Sequence, residues 1–217
     1  MSATKFIERD SKLWKRSFVW PETDIHLWRN CNKPENGPAM LDNIMALVPN
    51  LNRNNSKVIQ AGGACGVYAD YYSNYFRQVT TFEPDPDNYH CLMKNTKSWI
   101  HAVNTALSDK IGNVPMHRSR INVGATRVGV GEDVVHYTAP AITIDMLAPP
   151  KSELSISLIH LDVEGYEKSV LMGGLKEIER CKPVIVLETW DDEFMKSIGY
   201  RDAGMVSPWD KAFVYNS

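Results

Sequence analysis

The sequence predicts an α/β protein with a mostly parallel central sheet and helices on both faces. Three observations carry that expectation. Residues 57–86, KVIQAGGACGVYADYYSNYFRQVTTFEPDP, read as strand, glycine turn, helix, strand and acidic tip, the first βαβ half of a nucleotide-binding sheet. Residues 183–187 are near-continuously apolar, as a strand buried on both faces is. Strands alternate with helical stretches along the chain, a pattern that winds right-handed into parallel pairing.

Taken in order, residues 1–37 are mixed in charge and carry Trp14, Trp20 and Trp28. They read as an irregular arm with a short helix, and His26 and Trp28 suit packing better than substrate contact. Residues 38–48 form an amphipathic helix, with Pro38 in its first turn and Met40, Leu41, Ile44, Met45 and Val48 on one stripe. Strand 57–61 stops at Gly62-Gly63, where glycine lets the backbone turn sharply. A helix restarts at Gly66, with Val67, Tyr71 and Tyr75 at helical spacing. Strand 79–82 ends in Glu83-Pro84-Asp85-Pro86. A helix over 86–98 points Tyr89, Leu92, Met93 and Thr96 inward, and residues 99–107 make a third strand and its exit. Residues 112–140 hold β-like pieces at 114–117 and 128–136, broken by Gly124, Gly129 and Gly131. They read as a small hairpin or loop insertion on the active edge of the sheet. Residues 141–147 follow, closed by Pro149-Pro150. A fourth strand, 156–161, ends in Asp162-Val163-Glu164-Gly165. The next helical stretch sets Tyr166, Val170, Leu171, Leu175 and Ile178 on one side and breaks at Gly173-Gly174. The strand at 183–187 ends in Glu188. A short helix over 191–198, Gly199-Tyr200 and a last strand at 211–215 close the chain.

A chain of 217 residues, 43% hydrophobic and 23% charged, suits one globular domain with a real core. A net charge of −2 offers no electrostatic reason to expect nucleic acid or an anionic membrane as partner. Cys31, Cys65, Cys91 and Cys181 form no C-x-x-C pair, which argues against a zinc site or a disulfide framework and suggests a reducing, cytoplasmic setting. The first residues lack the apolar core of a signal peptide, and no run nears the ~20 apolar residues of a membrane span.

The opening unit points to a ligand carrying a ribose. Helix amides after a glycine turn offer donors and a positive dipole end. A carboxylate at the second strand tip can accept both ribose hydroxyls, and Glu83 stands 21 positions after Gly62, the spacing of adjacent tips. A dinucleotide fingerprint wants G-x-G-x-x-G. Here Ala64 interrupts Gly62-Gly63-Ala64-Cys65-Gly66, which fits a nucleoside without a pyrophosphate, as in S-adenosylmethionine (SAM). A glycine turn alone is weak evidence; turn, helix and timed acid together outweigh a plain strand–helix joint. Ligands of such sheets lie at the carboxyl ends of the strands. Those ends are residues 60–66, Glu83, residues 106–109, residues 162–165 and Glu188.

The blocks VIQAGGACGVYADYYS, FEPDPDNYHCLMKN, NTALSD, ITIDML, LIHLDVEGYEKSVLMGG and KPVIVLE resemble the successive motifs of FkbM-type SAM-dependent methyltransferases, from about Val58 to Glu188. FEPDP and DVEGYE together are the specific part. The resemblance implies a class I methyltransferase fold and methyl transfer from SAM to a hydroxyl oxygen. It implies that Gly62, Gly63 and Gly66 form the loop under the methionine part, with Cys65 in that loop. Glu83, followed by Pro84, would hold the ribose hydroxyls. Ala106 and Leu107 would flank the adenine, and Asp162 would lie beside the methionine moiety and the transfer site. Gln60 stands where the family usually has an acid that meets the SAM amino group, so charge assistance there is lost. His160 stands where lysine is common. On this reading residues 1–217 are one methyltransferase domain, with 1–50 an arm and helix capping the site and 51–217 the SAM-binding core.

A hydroxyl acceptor gains from a base that removes its proton as it attacks. Asp162 is the first candidate for proximity, with Glu188 and Glu164 behind it; His160 reads as a packed core histidine, and His136 as a weak candidate. Asp162 and Glu164 alone, two carboxylates with no third clear ligand, do not predict a metal site. The acceptor expected is a small molecule or a sugar unit. Two rivals remain on sequence grounds: an NAD-linked oxidoreductase, against which the glycine pattern and DVEGYE count, and a SAM-binding protein without catalysis, which Gln60 keeps open.

Overall fold

The computed structural model describes residues 4–48, 51–118, 122–129, 135–147 and 154–216. Gly131, Pro149 and Pro150 of the sequence reading lie outside them. The chain opens with strands β1 (Phe6–Ser11) and β2 (Arg16–Pro21), an antiparallel hairpin, followed by α1 (His26–Cys31) and α2 (Pro38–Leu47). The irregular arm expected there is corrected: Phe18 and Trp20 alternate inward at strand period and are buried, a signal masked by the charged run Glu8-Arg9-Asp10.

Next come β3 (Ser56–Ala61), α3 (Val67–Tyr72), β4 (Gln78–Phe82), α4 (Pro86–Asn95) and β5 (His101–Val103). The chain then leaves this sheet for β6 (Ala106–Leu107), β7 (Gly112–Arg118), β8 (Arg127–Val128) and β9 (Val135–Ile142), a second sheet in the order β6-β9-β7-β8. The single strand expected over 99–107 is therefore split between two sheets. The expected small hairpin is larger, because residues 135–141 pair along all of β7. After it follow β10 (Ser155–Leu161), α5 (Glu167–Met172), α6 (Leu175–Cys181), β11 (Val184–Leu187), α7 (Asp192–Ser197), β12 (Tyr200–Met205) and β13 (Lys211–Tyr215). Strand β12 escapes the sequence because it is a charged edge with only Tyr200 buried.

The main sheet has the order β12-β13-β11-β10-β3-β4-β5. Strand β13 is antiparallel to β11 and to β12, and the other pairs are parallel. Side-chain alternation builds a core on each face. Ile59, Ile159, Ile185 and Leu187 pack with Val170, Leu171, Ile178 and Met195 of α5, α6 and α7. Val58, Leu158, Val184 and Val186 pack with Met40, Leu41 and Ile44 of α2 and with Ala69 and Tyr72 of α3. Each fully buried aliphatic side chain contributes about 1.5–3 kcal/mol. The break between α5 and α6 has a steric cause: a Cβ on Gly173 would meet the Ser108 carbonyl oxygen at 2.0 Å. No described helix is long and apolar enough to cross a membrane.

Candidate active site

The chain runs outward from β3 to β4 and β5, then returns to place β10 on the other side of β3. The site forms at this switch point, beyond the carboxyl ends of β3 and β10. Gly62 turns there with φ 79°, and a Cβ on it would lie 1.8 Å from the Asp162 carbonyl oxygen. Only glycine lets the two strand ends approach so closely. The turn continues through Ala64, itself left-handed at φ 45°, whose N–H donates to Glu83 Oε2 at 2.6 Å. The glycine loop is thus tied to the neighbouring acidic tip.

Glu83 is 4% exposed and its other oxygen accepts the Asp85 N–H at 2.8 Å. Its own carbonyl accepts from the Asn104 amide at 2.8 Å. Burial pushes the carboxyl up to about 8; the Asp85 charge adds to this, while the backbone N–H donors of Asp85 and Ala64 oppose it. Each carboxylate oxygen keeps a lone pair for a further donor such as a sugar hydroxyl. Asp85 caps α4 by accepting from the Asp87 and Asn88 amides. Arg118 of β7 meets Asp85 at 3.1 Å and Asp87 at 2.7 Å, clamping the second sheet onto the acidic tip.

Three cavities adjoin, and Asp162 lines all of them. One of about 410 Å³ is bounded by Glu83, Pro84, Ala106, Leu107, Met116 and Tyr166. A second, about 340 Å³, is bounded by Gln60, Gly62, Gly63, Cys65 and Tyr68, with Trp20, Leu27 and Cys31 of the arm covering it. Gly66, at φ 87°, starts α3 below this loop. The Gln60 amide is engaged at both ends, donating to the Gly62 carbonyl at 3.0 Å and accepting from the Thr81 hydroxyl. Cys65 is fully buried, and burial first, then Cys91, raises its thiol well above the ordinary range, so it is a packing group.

The third cavity, about 720 Å³, is bounded by Leu27, Asn30, Asn36, Asn122, Trp209 and Asp210, with Glu164 and Glu188 beside Asp162. Oxygen atoms of Asp162, Glu164 and Glu188 all lie within 4.8 Å of one another. The third carboxylate missing from the sequence pattern is thus Glu188, brought in by parallel pairing of β10 with β11, Leu161 opposite Leu187. Glu164 is left-handed at φ 55°. Burial, then Glu188, pushes its carboxyl up to about 7, with Arg127 opposing. Burial and then Glu188 raise Asp162 as well; Glu188 is raised by burial and lowered by its hydrogen bond to Asp162. The like charge of Glu188 at contact favours the protonated form of Asp162.

His160 is buried, its Nδ1 2.8 Å from the Tyr72 hydroxyl and its ring stacked on Tyr68 at 5.7 Å between centroids. Its Nε2 stands 3.8 Å from Asp210 Oδ1. Burial works to raise Asp210, but His160 and Ser207 outweigh it and hold the carboxyl low. Asp210, Trp209, Asn36 and Asn122 are among the lining residues that sequence reasoning missed. Each stands alone in a loop or at a helix end, with no spacing to mark it. His136 lies on β9 in register with His117. His26 is exposed, and Trp28 packs edge-on against Trp20 at 5.1 Å.

A family model, the methyltransferase FkbM domain, matches residues 60–201. Among solved structures, methyltransferase FkbM from Methylobacillus flagellatus KT is 17% identical with a TM-score of 0.50, over 75% of this chain and 44% of that chain. The present chain therefore spans less than half the length of that relative. TYW2 of M. jannaschii in complex with AdoMet is 11% identical with a TM-score of 0.47, over 100% and 89% of the two chains. A TehB-like SAM-dependent methyltransferase from Corynebacterium glutamicum ATCC 13032 Kitasato is 14% identical with a TM-score of 0.45, over 88% and 95%. No curated protein matches.

Proposed function

We propose that this chain, which belongs to the FkbM methyltransferase family, uses SAM to methylate a hydroxyl oxygen of a small molecule or sugar unit. The observation that carries this reading is the row of three cavities meeting at Asp162. The adenosyl group is assigned to the first, with Glu83 accepting from the ribose hydroxyls and Ala106 and Leu107 against the base. The methionine part is assigned to the second, over a glycine loop packed so tightly that a Cβ at Gly62 would meet the Asp162 carbonyl and one at Gly63 the side chains of Leu92 and Thr81. An acceptor fits the third.

Bound SAM supplies an activated methyl: an O–CH₃ bond forms as the S–CH₃ bond breaks, leaving the neutral thioether SAH. The protein's part is alignment, exclusion of water and removal of one hydroxyl proton. That proton passes to the carboxylate group of Asp162, Glu164 and Glu188, with Asp162 nearest the junction.

Calorimetry with SAM, SAH and NAD tests the cofactor. Binding of SAM and SAH without NAD is expected; NAD binding without SAH would remove the reading. Methyl release from labelled SAM against hydroxylated metabolites and glycans tests catalysis, and product bearing an O-methyl group is expected.

A further inference from the structure

We propose that Asp162, Glu164 and Glu188 hold one divalent cation of the Mg²⁺ or Mn²⁺ class in the acceptor cavity, with Asn36 supplying an oxygen directly or through water. The three carboxylates come from three segments: the end of β10, the turn after it and the end of β11. The sheet fixes two of them, since the Glu188 N–H donates to the Leu161 carbonyl at 3.2 Å. Their mutual spacing, within 4.8 Å, matches what a hard cation needs. Around a metal at about 2.1 Å, opposite oxygens lie about 4.2 Å apart and adjacent ones about 3.0 Å, both inside the limit that the three carboxylates keep.

Charge points the same way. Among the described residues no lysine or arginine forms an ion pair with any of the three; Arg127 acts on Glu164 without reaching that distance. Three anions at this spacing need protons or a cation to coexist.

The second, independent observation is Asn36. It is 9% exposed, lines the same cavity, and its Oδ1 has no hydrogen-bond partner. The Asn36 backbone is committed elsewhere, its carbonyl accepting from the Tyr68 hydroxyl at 3.2 Å. A buried amide oxygen without a donor is costly unless something positive or a bound water meets it. An all-oxygen set of three carboxylates and one amide suits Mg²⁺ or Mn²⁺ rather than zinc. Cation binding stands apart from methyl transfer. Its role, holding an acceptor oxygen in an open coordination position, rests on the proposed function above.

The test is a Mn²⁺ titration of the full chain followed by electron paramagnetic resonance, with SAH calorimetry on the same samples. One Mn²⁺ per chain is expected below about 1 mM. Glu188→Gln and Glu164→Gln should each weaken it by at least about tenfold, Asn36→Leu by less, and the surface control Glu193→Gln not at all. Circular dichroism identifies folded variants; Glu164→Gln, in a turn, serves if Glu188→Gln fails to fold. No binding at about 1 mM, or equal affinity in folded Glu164→Gln, overturns the site. Mn²⁺ binding without SAH binding would keep the cation site and remove the methyltransferase reading; SAH binding without Mn²⁺ would do the reverse.

Discussion

The two halves of the cleft are built on opposite principles. At the tips of β3 and β4, the polar groups are matched: both oxygens of Glu83 accept backbone amides, its carbonyl accepts from Asn104, and Gln60 is bonded at both ends. At the tips of β10 and β11, three carboxylates crowd together and the amide oxygen of Asn36 has no partner. A saturated half is preorganised, because its groups are held before a ligand arrives. A frustrated half stores electrostatic demand that a proton, a cation or an acceptor can meet. The matched tips hold their polar groups in place without a ligand, and the crowded tips leave theirs unbalanced.

The joint between the halves should give the largest effect when broken. Gly62→Ala puts a methyl into the Asp162 carbonyl at a left-handed residue, and we expect a loss of at least about 4 kcal/mol by urea unfolding, at the diagnostic end of single-substitution effects. A loss below about 1 kcal/mol would mean the two tips are free to part. Within the saturated half, Glu83→Ala should weaken SAM binding, measured above pH 8 where Glu83 is ionised, by roughly 1.5–3 kcal/mol, the scale of charge-assisted hydrogen bonds. Unchanged affinity in calorimetry would remove Glu83 from the ribose site.

Titration compares the halves directly. Glu83 is raised from 4.5 to about 8, and Glu164 from 4.5 to about 7. A raised folded value means the fold favours the protonated form. This contribution to stability is complete below pH 4.5 and is lost as pH rises through 7 and then 8. The melting temperature should therefore fall across that window. Glu83→Gln should flatten the upper part of the fall and Glu164→Gln the lower part. A flat wild-type curve would show both carboxyls already ionised. The smallest effect is expected at the mouth of the acceptor half. Trp209 is 61% exposed and lines that cavity. Trp209→Ala should raise the acceptor KM by the equivalent of about 0.5–1.5 kcal/mol, the worth of an aromatic contact, and leave SAM affinity alone. A change in SAM affinity instead would place Trp209 in the saturated half.

Local periodicity made the saturated half readable. Strand, glycine turn and helix are encoded within 57–82, and Glu83 follows at the spacing that adjacent tips impose. The break at Gly173-Gly174 and the terminal strand at 211–215 were readable for the same reason. The hairpin β1–β2 was not, because charged residues fill its solvent side and only Phe18 and Trp20 keep the pattern. Strand β12 was hidden by its polar edge. Asn36, Trp209 and Asp210 were unreadable because nothing adjacent in sequence marks them.

By itself the sequence determined the α/β class, the glycine loop with its acidic partner, and the family, since each rests on neighbours along the chain. Only the tertiary structure decided that Glu188 joins Asp162 and Glu164, that Asn36 and Asp210 share their cavity, and that residues 106–142 build a second sheet clamped by Arg118. Pairings between distant strands set those distances, and no spacing within a single segment encodes them.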